Sequence, residues 1–245
     1  MALGRLLAAG ALLWAAGAGA ADIGVMPVGL SLAQGRDRAA ITVTNQGKDG
    51  VVMQVDTVAW TQEGGEDRYV PTAELLVNPP LFTVKPGHSQ VLRVGLRQPP
   101  SGEREAAYRL ILREVPQAAA VPASPVAGGR VQVLLQMRLP VYVDPARPDP
   151  GQRWQARWGR DGTLETTLSN TGNVHLVVGE LRLRAADAAP DAAPIAMLKA
   201  GTPVFPGQSR TWQLPVGPAA RGQRCTLEVT TDRGPQHVAL DPVHP

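Results

Sequence analysis

The stretch GGRVQVLLQMRLPVYVDP, residues 128–145, decides how this chain is read. Val131, Val133, Leu135, Met137 and Leu139 stand on alternate positions, and Gln132, Leu134, Gln136, Arg138 and Pro140 fill the places between. Successive side chains of a strand point to opposite faces, so one face is an unbroken apolar row and the other carries Arg138. Two prolines end the run, and proline is confined to edges, strand ends and bulges because it has no N–H for a ladder. A long apolar strand at an edge is what proteins usually blunt, since it recruits other chains. Left open, Val131, Val133, Leu135 and Met137 would make recruitment the function, while Leu134 on the other face is positioned to pack into the domain's own core.

The flanking sequence reads as strand almost throughout. RAAITVTNQG (38–47), VVMQVDTVAW (51–60), SQVLRVGLR (89–97) and YRLILREVP (108–116) are short β-rich runs separated by Gly, Pro, Asn and Asp, the pattern of an all-β sandwich. The proline-rich DPARPDPG (144–151) then stiffens the chain and forbids a central strand, which makes it a linker. Strands resume in LETTLSNTGNVHLVVGELRLR, QSRTWQLPV and CTLEVTTD. The halves echo one another: TVTNQGKDGVVMQV matches TLSNTGNVHLVVGEL, and FTVKPGHSQVLRV matches PVFPGQSRTWQL. Each Asn-x-Gly reads as a tight turn needing left-handed backbone, and each Pro-Gly as a turn feeding a strand. The expectation is two tandem sandwiches, at 21–145 and 146–245.

The first 20 residues run from one basic residue, Arg5, through an apolar segment to Ala18-Gly19-Ala20, the order of a cleaved secretory signal. The apolar segment is shorter than the roughly 20 residues that span a bilayer, and no later segment is long and apolar enough, so no membrane span is expected in the mature chain. The single cysteine, Cys225, leaves an exported protein without an intramolecular disulfide. A formal charge of +3 with acids and bases mixed along the chain, and no aromatic-basic interleaving, gives no sign of nucleic-acid binding.

No catalytic constellation stands out in the sequence. His88, His175, His237 and His244 lie in separate segments without metal-ligand spacing, and neither a nucleophile elbow nor a phosphate loop is present. Cys225 opens a strand, where a buried small hydrophobe is the expected role. Glu63, Glu66 and Asp67 belong to a Gly-rich hairpin that reads as a solvated turn. No cofactor, no metal and no enzymatic activity are expected, which leaves binding. One alternative is a secreted immunoglobulin-like adhesion or carbohydrate-binding module, using Trp60, Trp154 or Trp158.

Four blocks in order, VTNQG…VVMQVDTVAW, LLVNPPLFTVKPGHSQVLRVGLR, YRLILREVP and VQVLLQMRLPVYVDP, resemble the periplasmic chaperones of chaperone–usher pilus assembly. The likeness covers nearly all of the first domain and, in the second, only the Asn-x-Gly and Pro-Gly turns. It implies two immunoglobulin-like domains, residence in the periplasm of a Gram-negative bacterium, delivery of pilus subunits to an outer-membrane usher, and possible self-association when free. It also implies β-strand addition, with a donor strand at 130–140 lent to a subunit whose own sandwich lacks its last strand. Each apolar side chain buried in the subunit would contribute roughly 1.5–3 kcal/mol before ordering costs.

The resemblance has one departure. Family members hold the subunit's terminal carboxylate with two basic residues, and the corresponding positions here are Gly29 in VMPVGLSL (25–32) and Pro140. This resembles the divergent archaic branch, in which an arginine stands beside the tyrosine of YRLILREVP. Arg109 is therefore the expected carboxylate anchor, since a guanidinium can grip a carboxylate with two parallel hydrogen bonds, and Arg138 is the second candidate. QAAAVPASPVAGG (117–129) is too poor in bulky residues to build a core of its own and is expected to be mobile in the free protein, with Val121 and Val126 available to order against a subunit.

Overall fold

The computed structural model describes residues 22–99, 101–116, 133–159, 162–189, 192–217, 224–238 and 240. The expected signal segment, the 117–129 stretch, Val131 and His244 lie outside the described residues.

Alternation of buried and exposed positions builds two β-sandwiches. In the first, β1 (Ile23–Met26), β3 (Arg38–Asn45), β8 (Ser89–Leu96) and β6 (Leu75–Asn78) form one sheet in that order. The facing sheet runs β2 (Leu30–Leu32), β10 (Gln136–Val143), β9 (Ala106–Glu114), β4 (Val51–Glu63), β5 (Glu66–Pro71), with β7 (Leu81–Val84) also pairing β4. Every second residue points inward: Ile41 and Val43, Leu92 and Val94, Met53 and Val55, Leu110 and Leu112, Leu139 and Val141 make one core. The second sandwich sets β11 (Gln152–Trp158), β12 (Thr163–Asn170) and β15 (Ser209–Pro215) against β14 (Ala196–Val204), β13 (Leu176–Ala185), β16 (Cys225–Thr231) and β17 (Gly234–Val238). Its separate core gathers Leu164, Leu168, Leu181, Leu183, Trp212, Leu214, Leu227 and Val229.

The repeated Asn-x-Gly has a different cause from the left-handed turn expected of it. Gly47 and Gly172 do not have positive φ, whereas the Pro-Gly glycines do, at 70° for Gly87 and 76° for Gly207. The asparagines are what matter. Asn45 is fully buried, donates from Nδ2 to the carbonyls of Asp49 and Val84, and accepts the Gly47 N–H. Asn170 does the same with Val174, Val204 and Gly172. Each also docks the Pro-Gly turn by its backbone: Gly87 N donates to Asn45 O, and Gly207 N to Asn170 O. Gly172 is small for another reason, because a Cβ there would overlap the backbone of Gly151 in the linker. Asn45→Ala removes three hydrogen bonds to backbone groups, the one to the Val84 carbonyl buried, and is expected to cost about 1–3 kcal/mol, read as a lowered urea midpoint with unchanged slope.

The linker is tied down. Asn173 donates from Nδ2 to the carbonyls of Glu103 and Arg147 and accepts from Asp149 N, so one side chain joins a loop of the first domain, the linker and the second domain. Nearby, His175 Nδ1 lies 2.8 Å from both oxygens of the buried Glu105 carboxylate, and the His175 ring stacks on Tyr142 with centroids 3.8 Å apart.

Candidate functional site: the open edge of β10 and an arginine on an aromatic platform

Strand β10 pairs with β9 along its whole length, but β2 covers its other side only at Val141, Tyr142 and Val143. Among the described residues no strand lies beside 136–140 on that side. Leu135 exchanges bonds with Glu114: its carbonyl accepts the Glu114 N–H at 2.9 Å, and its own N–H goes to the Glu114 carboxylate at 3.1 Å. By the alternation of an antiparallel ladder, Met137, Leu139 and Val141 also face β9, while Gln136, Arg138 and Pro140 aim their backbone groups at the open side. Pro140 therefore sits inside β10 rather than ending it, and its missing N–H falls where no neighbour in the sheet needs one.

The apolar row runs out of the domain's own core. Val143, Val141 and Leu139 are buried, Met137 packs partly against the same core, Leu135 is half-buried, and Val133 is 81% exposed. The face that would meet a partner is thus continuous with the face that lines the domain. This corrects the expectation for Leu134. It has the opposite parity, is 42% exposed and does not enter the core, because the inward face belongs to the odd positions throughout.

The other face of the sheet carries the two arginines. Arg109 stands opposite Pro140 on one side and Val58 on the other, so it shares a face with Trp60, Arg138 and Tyr142. Its Cζ lies 3.7 Å above the centroid of Trp60, a close cation–π contact. Nη1 donates to the Arg138 carbonyl at 3.3 Å, and Nε is buried without a partner among the described residues. Arg138 Cζ lies 5.8 Å from the Tyr69 ring, which is paired with Trp60 across β4 and β5. No carboxylate among the described residues pairs with either arginine. Burial pushes the Tyr142 phenol up to about 12, against the pull of Arg109, and raises Tyr69 as well. Both phenols are neutral at physiological pH, so neither supplies a counter-charge to the two arginines.

Gly29 and Pro140, the positions where a basic pair is absent, do come together: a Cβ on Gly29 would lie 3.1 Å from Pro140 Cγ. Arg109 reaches the same place from the next strand, directly across from Pro140. What the sequence did not reveal is the platform. Trp60 is buried beneath the guanidinium rather than presented to a sugar, and Trp154 and Trp158 pack against the second core. The even spacing of Arg138, Pro140 and Tyr142 was the available signal that these residues share a face.

Cys225 begins β16, half-buried against the second core, and burial raises its thiol pKa, so little thiolate exists at neutral pH. Cys225→Ser is expected to leave subunit capture at the parent level with at most about 1 kcal/mol lost in urea unfolding. Loss of capture by a well-folded Cys225→Ser protein would overturn that assignment. Among the described residues no three His, Cys, Asp or Glu side chains gather as a metal site, and no helix is long and apolar enough to cross a membrane.

Residues 23–149 match the family model for the pili and flagellar-assembly chaperone, PapD N-terminal domain. The chain belongs to this chaperone family. Among solved structures it resembles the CsuC–CsuE chaperone–tip adhesion subunit pre-assembly complex from the archaic chaperone–usher Csu pili of Acinetobacter baumannii, at 17% identity and TM-score 0.62, covering 91% of this chain and 100% of that one. It also resembles the YadV chaperone, at 13% identity and TM-score 0.61, covering 89% and 100%. A third likeness is to the Salmonella enterica SafA pilin in complex with the SafB chaperone, at 15% identity and TM-score 0.60, covering 90% and 97%. A search of the curated proteins returns no match. At these identities the structural likeness establishes the fold, and the matched model reaches from β1 through β10 into the linker of the chaperone.

Proposed function

We propose that this chaperone works in the periplasm, without enzymatic activity, as a member of the archaic branch of the chaperone–usher pathway. It holds a pilus subunit by adding the 130–140 segment as a strand to the subunit's open sandwich, and delivers the subunit to an outer-membrane usher. The observation that carries this reading is the uncovered edge of β10, with an apolar row that leaves the domain core at Met137 and is largely in solvent by Val133. Strand addition needs both parts: free backbone groups for the ladder and side chains to fill the partner's groove. Arg109, which has no carboxylate partner among the described residues, is the group for the subunit's C-terminal carboxylate, with Arg138 beside it. The absence of side-chain cations at Gly29 and Pro140 supports the archaic assignment.

The test is expression with the small secreted subunit encoded beside an adjacent usher gene. The subunit should accumulate in the periplasmic fraction as a one-to-one complex with the chaperone and aggregate or be degraded without it. A subunit that stays soluble and monomeric alone, or that never co-purifies, would remove the chaperone reading.

A further inference from the structure

The aromatic platform under Arg109 is held from behind by the second domain. Phe205, which follows β14, meets the Trp60 ring edge-on with centroids 4.7 Å apart at 70°. Two residues along β4, on the same face as Trp60, the buried Gln62 spends its amide on the same joint: Nε2 donates to Pro203 O at 2.9 Å and Oε1 accepts the Phe205 N–H at 3.0 Å. Trp60 is 2% exposed, so its ring is pinned between the guanidinium of one domain and the phenyl ring of the other. Guanidinium is a planar group, and a ring face against it fixes the plane in which its N–H fork opens. A chain of contacts thus runs from the second domain through Phe205 and Trp60 to Arg109.

We propose that Phe205 is a positioning residue for the carboxylate anchor, acting through Trp60, so that the second domain sets the aim of Arg109 as well as adding mass to the chaperone. The inference rests on the assignment of Arg109 to the subunit's terminal carboxylate. It predicts that a buried residue of the second domain affects capture through the orientation of Arg109. It also separates orientation from charge: an ammonium has no plane to orient, so Phe205 matters only while position 109 is arginine.

The experiment is a double-mutant cycle, using the subunit that co-purifies with the parent chaperone as the probe and competition against labelled parent to obtain dissociation constants. Phe205→Leu keeps most of the buried volume and is expected to weaken capture about three- to tenfold in the parent. In an Arg109→Lys background the same change should cost less than about twofold. Phe205→Tyr, which keeps the ring, should retain parent affinity. Gln62→Leu, loosening the joint from the other side, gives the second arm and should show the same dependence on Arg109. Equal losses in both backgrounds would mean that Phe205 only holds the domains together, which overturns the inference. Parent affinity in the single Arg109→Lys variant would instead overturn the anchor assignment, and this inference with it.

Discussion

Arg109→Ala is expected to abolish recovery of soluble complex. Removing one partner of a desolvated charge pair costs about 2–5 kcal/mol, a loss of at least thirtyfold in affinity, because the subunit's carboxylate is left without its counter-charge. The loss should exceed the contact itself, since an anchor at Arg109 would set register and a one-residue slip would turn the apolar row of β10 outward. Arg109→Lys should recover only part of the yield. The Trp60 face supports a flat guanidinium at 3.7 Å, and an ammonium placed there gives up the two-pronged grip. Arg138→Ala should do less, because its guanidinium stands further out, 5.8 Å from Tyr69. The measurement is co-expression followed by quantification of complex, with circular dichroism and urea titration of each free variant, since Arg109→Ala also uncovers Trp60. Normal capture by Arg109→Ala beside failure of Arg138→Ala would reverse the two roles. Normal capture by both would give the carboxylate to backbone N–H groups or another residue.

Val133→Asp combined with Leu135→Asp should leave a folded, exported protein that no longer holds its subunit. Val133 is 81% exposed in the free chain, so a carboxylate there is solvated and nearly neutral for folding. Leu135 is half-buried beside Glu114, and its substitution carries a modest cost of its own. Inside the subunit groove each carboxylate would have to be desolvated without a partner, at several kcal/mol, so that capture falls by a hundredfold or more. Because Val133 is the less embedded of the two, Val133→Asp alone is the cleaner reading of binding apart from folding. Retention of the subunit at parent yield by the double variant would show that the strand is not the donor; an unfolded double variant beside a folded Val133→Asp would assign Leu135 to the core.

The fold was legible because its rule is local. Period-two alternation in 38–47, 51–60, 89–97 and 108–116 coincides with β3, β4, β8 and β9, whose inward residues form the first core. Strands with weaker alternation, such as β5 and β14, emerge only from their pairing with β4 and β13. The alternation of the key run places Met137 on the face that packs against the core, while Val133 lies ahead of β10 in solvent. Leu139 and Val141 show that one face serves both the domain core and the open edge, and alternation alone cannot tell where a core ends. Likewise Asn45 and Asn170 stood out by repetition, yet their reason is a set of buried hydrogen bonds between turns far apart in sequence. Trp60 was visible as a rare residue; that it lies beneath Arg109 depends on the pairing of β4 with β9.

Pro140 makes the sticky edge finite and one-ended. Any strand laid beside 136–140 can draw N–H donors from Gln136 and Arg138, finds none at Pro140, and then meets β2, which already occupies Val141. Two copies of the chaperone lying edge to edge and antiparallel would meet the same stop from both directions, so a ladder shared between them could not run past Pro140 of either copy. An edge that recruits chains in solution carries the hazard of indefinite growth. Here Pro140 and β2 together bound the edge at one end, and on the proposed reading a lasting partner is one that fills the apolar row and brings a carboxylate to that closed end.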